Sequence, residues 1–225
     1  MNFPQQGDFI DIHNHNGSPA IGRFSIENLM AHEVQVPDNE EGIVYTIGIH
    51  PWHLSKDNFS NQLEKVSMYG GHENVAAIGE AGFDLLKGPS IELQKRAFEE
   101  QVKIAGEYSR PVYIHCVKAW EELLAAHRRL KPSSPWLVHG FRGKKELALQ
   151  LLSRGMYISF WFGFVIRPEA GELIRNLPSD RIFLETDGSG EDIRTIYQKV
   201  SADLGLDVEQ LKKQLYSNYK EFIQI

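Results

Sequence analysis

Residues 91–115 read Ile91-Glu-Leu-Gln-Lys-Arg-Ala-Phe-Glu-Glu-Gln-Val-Lys-Ile-Ala-Gly-Glu-Tyr-Ser-Arg-Pro-Val-Tyr-Ile-His115. Ile91 to Tyr108 carries a helical pattern, with Ser90 placed as an N-cap ahead of Glu92 and Leu93. Pro111 ends that pattern and opens the short apolar run Val112-Tyr-Ile-His115, which reads as a buried strand. A helix leading into such a strand is half of a β-α-β unit. Similar runs recur on both sides: Phe9 to His13, Ile43 to Ile47, Val75 to Ile78, Trp136 to His139, Met156 to Phe160 and Arg181 to Glu185. Helical patterns span Trp120 to Leu130, Lys144 to Ser153, and Asp192 to Ile223 with a break near Gly205-Leu-Asp207. Strands joined by crossover helices are parallel, which leaves an open doubly wound sheet or a closed barrel. The first strand is followed by no Gly-x-Gly-x-x-Gly, which counts against a dinucleotide-binding sheet. A barrel needs a second strand between Gly17 and Gly42, and Arg23 to Met30 is its candidate, with no full helix before it.

The chain has 225 residues, 42% hydrophobic and 24% charged. No repeat, low-complexity run or linker divides it, so one domain over 1–225 is expected. Lys+Arg total 24 against Asp+Glu 30, a net charge of −6, which excludes a broad basic surface; a phosphate-bearing partner would need local help. The lone Cys116 forms no intrachain disulfide, and Met1 to Asp11 lacks the pattern of a signal peptide, so the expectation is cytoplasmic. Met156 to Ile166, the most apolar stretch, is too short to cross a bilayer. No obligate protein partner is evident.

The chemistry concentrates at strand ends. In His13-Asn14-His15 two imidazoles two residues apart point to one side of an extended strand, a way to offer two nitrogens to one cation. Glu80, His115, His139 and Asp187 each end a further strand, so six potential ligands are expected at the C-terminal ends of five strands, which converge where a parallel barrel builds its active site. Such a mixture suits Zn, Mn, Fe or Ni better than Ca. Asp11 and Glu185 share strand faces with His13 and Asp187 and are candidates to orient them. His50 and Trp52 lie where they could meet a substrate, and Lys118 and Arg142 could clamp an anion. His32, His53, His72 and His127 read as surface residues, and Cys116 as an inert thiol facing away from His115.

The stretches Asp11-Ile-His-Asn-His15, Gly48-Ile-His-Pro-Trp52, Ile78-Gly-Glu-Ala-Gly-Phe-Asp84, Pro111-Val-Tyr-Ile-His-Cys116, Val138-His-Gly-Phe-Arg-Gly143, Tyr157-Ile-Ser-Phe160 and Leu184-Glu-Thr-Asp187 resemble, in order, those of the TatD family of metal-dependent hydrolases. The resemblance implies a TIM-type (β/α)8 barrel, here with a shortened second β/α unit, and two divalent metal ions, whether Zn, Mn, Mg, Fe or Ni. It implies that His13, His15, Glu80 and Asp187 hold one ion and Glu80, His115 and His139 the other, Glu80 bridging. Catalytic roles fall to Asp187 and Glu80, and substrate contacts to His50, Lys118 and Arg142. The implied activity is deoxyribonuclease action on single-stranded DNA ends or a small phosphoester; an amidohydrolase or lactonase using the same metals is the alternative. The chain departs from the family pattern at Val117, where an arginine is usual, at Arg142, where serine is common, and at Gly188-Ser-Gly-Glu-Asp192, which replaces a proline-rich loop.

Overall fold

The computed structural model describes residues 2–15, 17–33 and 39–224. Eight strands form one sheet in chain order: β1 Phe9–Asn14, β2 Arg23–Met30, β3 Ile43–Gly48, β4 Val75–Asp84, β5 Val112–Val117, β6 Trp136–Val138, β7 Tyr157–Trp161 and β8 Ile182–Glu185. β1 pairs with β2, β3 with β4, β4 with β5, β5 with β6 and β7 with β8, all parallel, and β1 also packs beside β8. With helices between most strands, this is the order of a TIM-type (β/α)8 barrel. The helices are α1 Phe59–Tyr69, α2 Ile91–Glu107, α3 Trp120–Leu130, α4 Lys145–Leu152, α5 Phe162–Val165, α6 Ala170–Arg175, α7 Ile193–Leu204 and α8 Val208–Phe222. None of the described helices is long and apolar enough to cross a membrane.

The chain falls into two compact units. One comprises residues 28–39 and 44–138 and holds β4 to β6, most of β3 and α1 to α3. Every residue of β4 is buried, which is why strands covered on both faces read as continuous apolar runs. Phe83 packs on Phe98 of α2, and Phe98 meets Trp136 edge-on with centroids 5.1 Å apart. Two glutamines on one face of α2 are buried with these rings. Gln94 accepts from Asp84 N at 2.7 Å and donates to Asp84 O; Gln101 accepts from Ile49 N at 2.6 Å. A buried amide with both ends satisfied stabilises the backbone it spans.

The second unit comprises 2–27, 40–43 and 139–225. Tyr197 of α7 donates to Ile10 O and accepts from Ile10 N, fixing the helix to β1, and burial pushes its phenol up. Asn218 of α8 donates to Ser179 O and Ile182 O, anchoring the start of β8. Asp192 and Asp207 cap α7 and α8, and Gly205 takes the left-handed turn that separates them.

The second strand lies where the sequence placed it, at Arg23–Met30, and no helix precedes it among the described residues; positions 34–38 of the shortened unit lie outside them. Four expectations need correction. Ser90 sits at the N-cap of α2 but its side chain makes no capping bond. α1, α5 and α6 carry no helix in the sequence reading; α5 and α6 are only four and six residues long, too short for a helical period to show. Glu80 and His115 lie inside their strands rather than at the ends. The pairing of β4 shifts register between Ile78 and Ala81 and then resumes, Gly82 opposite His115. Gly79 and Gly82 allow this: their φ angles are 145° and 148°, and a Cβ would fall 2.5 Å from Tyr113 O and 2.0 Å from His115 O. Lastly, of the four histidines read as surface residues, His32 is half-buried and stacks on His53 at 4.0 Å, and His127 packs edge-on against Trp136.

Candidate metal centre

In the first unit His50, Glu80 and His115 bring donor atoms within 4.8 Å of one another, all three buried. Glu80 is held from β2: its Oε1 accepts from Asn28 Nδ2 at 3.0 Å and its backbone N–H donates to Asn28 Oδ1, which also accepts from Thr46. His115 presents Nδ1 to Glu80 Oε2 at 3.6 Å, while Nε2 meets Asp84 Oδ2 at 3.1 Å. Asp84 also accepts from the Trp52 indole at 2.7 Å and from Leu86 N and Lys87 N. Burial alone would raise the Asp84 carboxyl, but bonds from Trp52, His115 and those amides outweigh it and hold the group below the usual range. An ionised Asp84 assigns the His115 proton to Nε2 and turns the lone pair of Nδ1 toward Glu80, the arrangement by which carboxylates orient metal-binding imidazoles.

His50 is placed differently. Its Nδ1 accepts from Trp52 N at 3.1 Å, capping the turn Pro51–His53, so its proton resides on Nε2, which lies 3.6 Å from Glu80 Oε2. A nitrogen carrying a proton offers no lone pair to an ion. His50 therefore suits hydrogen bonding to Glu80 or to a substrate better than ligation.

In the second unit His13, fully buried, and His15 each point Nε2 at Asp187 Oδ1, at 3.7 Å in both cases. His139 packs beside His13, the rings tilted by 41° with centroids 4.3 Å apart, and forms with Glu185 and Asp187 a further group of converging donors. Glu185 is wholly buried, accepts from Gly140 N and Ser159 Oγ, and lies 3.6 Å from His139 Nδ1. Burial would raise it, but His139, His13 and Ser159 more than offset that and hold it low. Asp11 accepts from both N–H and hydroxyl of Thr186, next to Asp187, and burial pushes it up to about 7. Asn14 accepts from His15 N and Gly188 N and donates to Glu27, which also takes bonds from Ser25 and Gly17. The His-Asn-His turn is thus fixed through the residue between the imidazoles. Asp187 sits in the left-handed region, φ 50°, a conformation that aspartate tolerates and that functional positions often hold.

The donors fit a divalent transition-type ion. Two ligands at about 2.1 Å from one ion stand about 3.0–3.4 Å apart in octahedral or tetrahedral geometry. The separations of 3.6–3.7 Å exceed that by only a few tenths of an ångström. Mixed imidazole and carboxylate donors favour such ions over calcium.

Comparison with known proteins adds a second line. The sequence model of the TatD related DNase family matches residues 24–224. The chain belongs to the TatD family. It is 33% identical over 159 residues to the 3'-5' ssDNA/RNA exonuclease TatD of Cronobacter sakazakii, which covers 65% of this chain and 57% of that protein. The chain thus spans a little over half the length of the TatD exonucleases it matches. It is 28% identical over 203 residues to YcfH of Escherichia coli, described as an uncharacterized metal-dependent hydrolase, covering 82% and 75% of the two chains. The crystal structure of the TatD homolog YJJV from Escherichia coli superposes with a TM-score of 0.76 over 98% of this chain and all of that one, at 20% identity. A TatD family hydrolase from Entamoeba histolytica gives 0.75 at 18% identity, covering 98% and 99%. These likenesses carry the barrel fold.

Of the other residues singled out from this TatD chain's sequence, Lys118 is exposed with φ 56° after β5, and Arg142 is exposed after β6. The Cys116 thiol is pushed up by burial and stays protonated, as an inert thiol should. Asn28, Glu27, Asp84, Gln94 and Gln101 were not foreseen. The one signal for Asn28 and Glu27 was polar residues, with Ser25, inside a strand that also buries Phe24 and Ile26.

Proposed function

We propose that this TatD chain hydrolyses phosphodiester bonds of single-stranded nucleic acid from an end, using divalent ions held by His13, His15 and Asp187 and by Glu80 and His115. The observation that carries the reading is the pair of clusters, each with imidazole and carboxylate donors 3.6–3.7 Å apart, in a chain of this family. The TatD relatives named as ssDNA/RNA exonucleases support the substrate class. The sequence resemblance further assigns Glu80 to both ions and His139 to the second; metal content of Glu80→Gln and His139→Ala tests those assignments.

Divalent ions, when bound, lower the pKa of water and neutralise charge on phosphate oxygens. The chain's own groups do the rest. Asp187 takes the proton of the attacking water and returns it to the leaving oxygen, the general acid–base role. Asp84 holds His115 in one tautomer, Asn28 holds Glu80, and the Nε2 proton of His50 is available to a phosphate oxygen. The deciding assay presents metal-loaded protein with bis-p-nitrophenyl phosphate, single-stranded oligonucleotides, and a panel of amides and lactones. Turnover of the phosphodiesters and oligonucleotides is expected; turnover confined to amides or lactones overturns the reading.

A further inference from the structure

A protein of net charge −6 that handles a polyanion must concentrate its cations, and one place in the second unit does so. Arg142, Lys144, Lys145 and Arg167 line a cleft of about 510 Å³ formed by the segment after β6, the start of α4, and α5 and α6. All four are exposed, and among the described residues none of them lies within 4.0 Å of a carboxylate. Elsewhere on this surface lysines and arginines do pair, as in Lys103 with Glu100, Arg129 with Glu99, Arg194 with Asp192 and Lys212 with Glu209. Lys145 reaches only Asn176 Oδ1 at 3.2 Å, and Arg167 donates to Gly163 O while lying 5.7 Å over the Phe164 ring. Glu146, Glu169 and Glu172 share the lining, so the cleft is mildly rather than strongly cationic.

Its position relates it to the reacting centre. Arg142 is three residues beyond His139, at most about 11 Å along the chain between Cα atoms, and His139 lies against His13 in the same unit. That distance is within a few nucleotides of a phosphate at the metal cluster. Phe164 and Leu173 give the cleft an apolar lining as well as charge. We propose that this cleft is a subsite for the backbone phosphates of single-stranded nucleic acid flanking the bond to be cut, an inference that rests on the nuclease reading. Sequence-independent contacts of this kind fix the strand's path without reading its bases.

The test is a Lys144→Ala/Lys145→Ala/Arg167→Ala variant, with Arg142 left in place because of its nearness to His139. Steady-state hydrolysis of dT12 and U12 is measured with manganese, bis-p-nitrophenyl phosphate serving as the short substrate. The expected result is a KM for both 12-mers raised roughly tenfold, with kcat and hydrolysis of the short substrate near wild type. The slope of log(1/KM) against log salt should shrink by about 2, from about 0.7 for each of three phosphate contacts. A charge-conserving Lys144→Arg/Lys145→Arg/Arg167→Lys variant should behave as wild type. Wild-type KM and salt slope in the alanine variant overturn the subsite while leaving the nuclease reading intact. A variant that also loses the short substrate overturns the claim that the cleft is separate from the reacting centre. If wild-type protein cleaves bis-p-nitrophenyl phosphate but neither binds nor cleaves either 12-mer, the nuclease reading itself falls and the subsite with it. A KM raised for dT12 alone, or for U12 alone, overturns a contact made only to phosphate.

Discussion

Asp187 carries two demands at one side chain. Its Oδ1 is shared by His13 and His15 at 3.7 Å, and its backbone N–H donates to His13 O, so the carboxylate is held from both sides while its side chain stays 30% exposed to a substrate. Asp187→Asn keeps the shape and one ligating oxygen but removes the base. Turnover of a phosphodiester should fall by about 10²–10⁴, the usual worth of general acid–base catalysis. Ion binding at the Glu80 and His115 cluster, read by calorimetric titration with manganese, should persist. Near-normal turnover at saturating metal would transfer the proton role elsewhere, with Glu185 the next to examine.

At the scale of elements, α2 fixes the backbone from which the first cluster grows. Gln101 bonds Ile49, the residue before His50, and Gln94 bonds Asp84, the residue that orients His115. Both amides are fully satisfied only if the helix sits in its observed register. Gln101→Leu removes the acceptor for a buried N–H without changing the volume much. It should cost about 1–3 kcal/mol, the penalty for an unsatisfied buried polar group, seen as a lower urea midpoint in metal-free protein. An unchanged midpoint would show that water takes over the bond and that the helix does not secure this strand end. β2 acts in a similar way with side chains instead of a packed helix: Glu27 secures the His-Asn-His turn and Asn28 secures Glu80.

For the whole molecule, the buried carboxylates divide stability by pH. Asp11 is raised from 3.8 to about 7, chiefly by burial. A folded pKa above the unfolded one means that the folded chain binds the extra proton, so this contribution is full below pH 4 and is lost as pH rises through 7. Asp84 and Glu185 are held low, and their contributions are present above the unfolded values and fade as the solution becomes acid. The urea midpoint of metal-free protein, compared with that of Asp11→Asn, should therefore diverge between pH 4 and pH 8, the variant losing less on the alkaline side. Parallel profiles would mean that Asp11 titrates at its ordinary value.

What the sequence determined by itself was whatever is local or periodic. Short buried runs separated by crossover helices lead to parallel strands, and His13-Asn-His15 marks two candidate ligand positions because a strand alternates its faces, whereas Asp187 lies beyond the end of β8. Even the weak second strand at Arg23–Met30 was legible, since a barrel needs it and one candidate existed. The placement of Glu80 and His115 inside their strands was not, because it depends on Gly79 and Gly82 letting β4 slip and resume its pairing with β5. Nor was the restraint of the ligands legible. Asn28, Asp84, Gln94 and Gln101 act across sequence separations of ten to fifty-two residues. Which proton His115 carries follows from Asp84, thirty-one residues away in the chain. A hydrogen bond needs its donor and acceptor within about 3 Å, and only the packed register of helix on strand brings such distant groups that close.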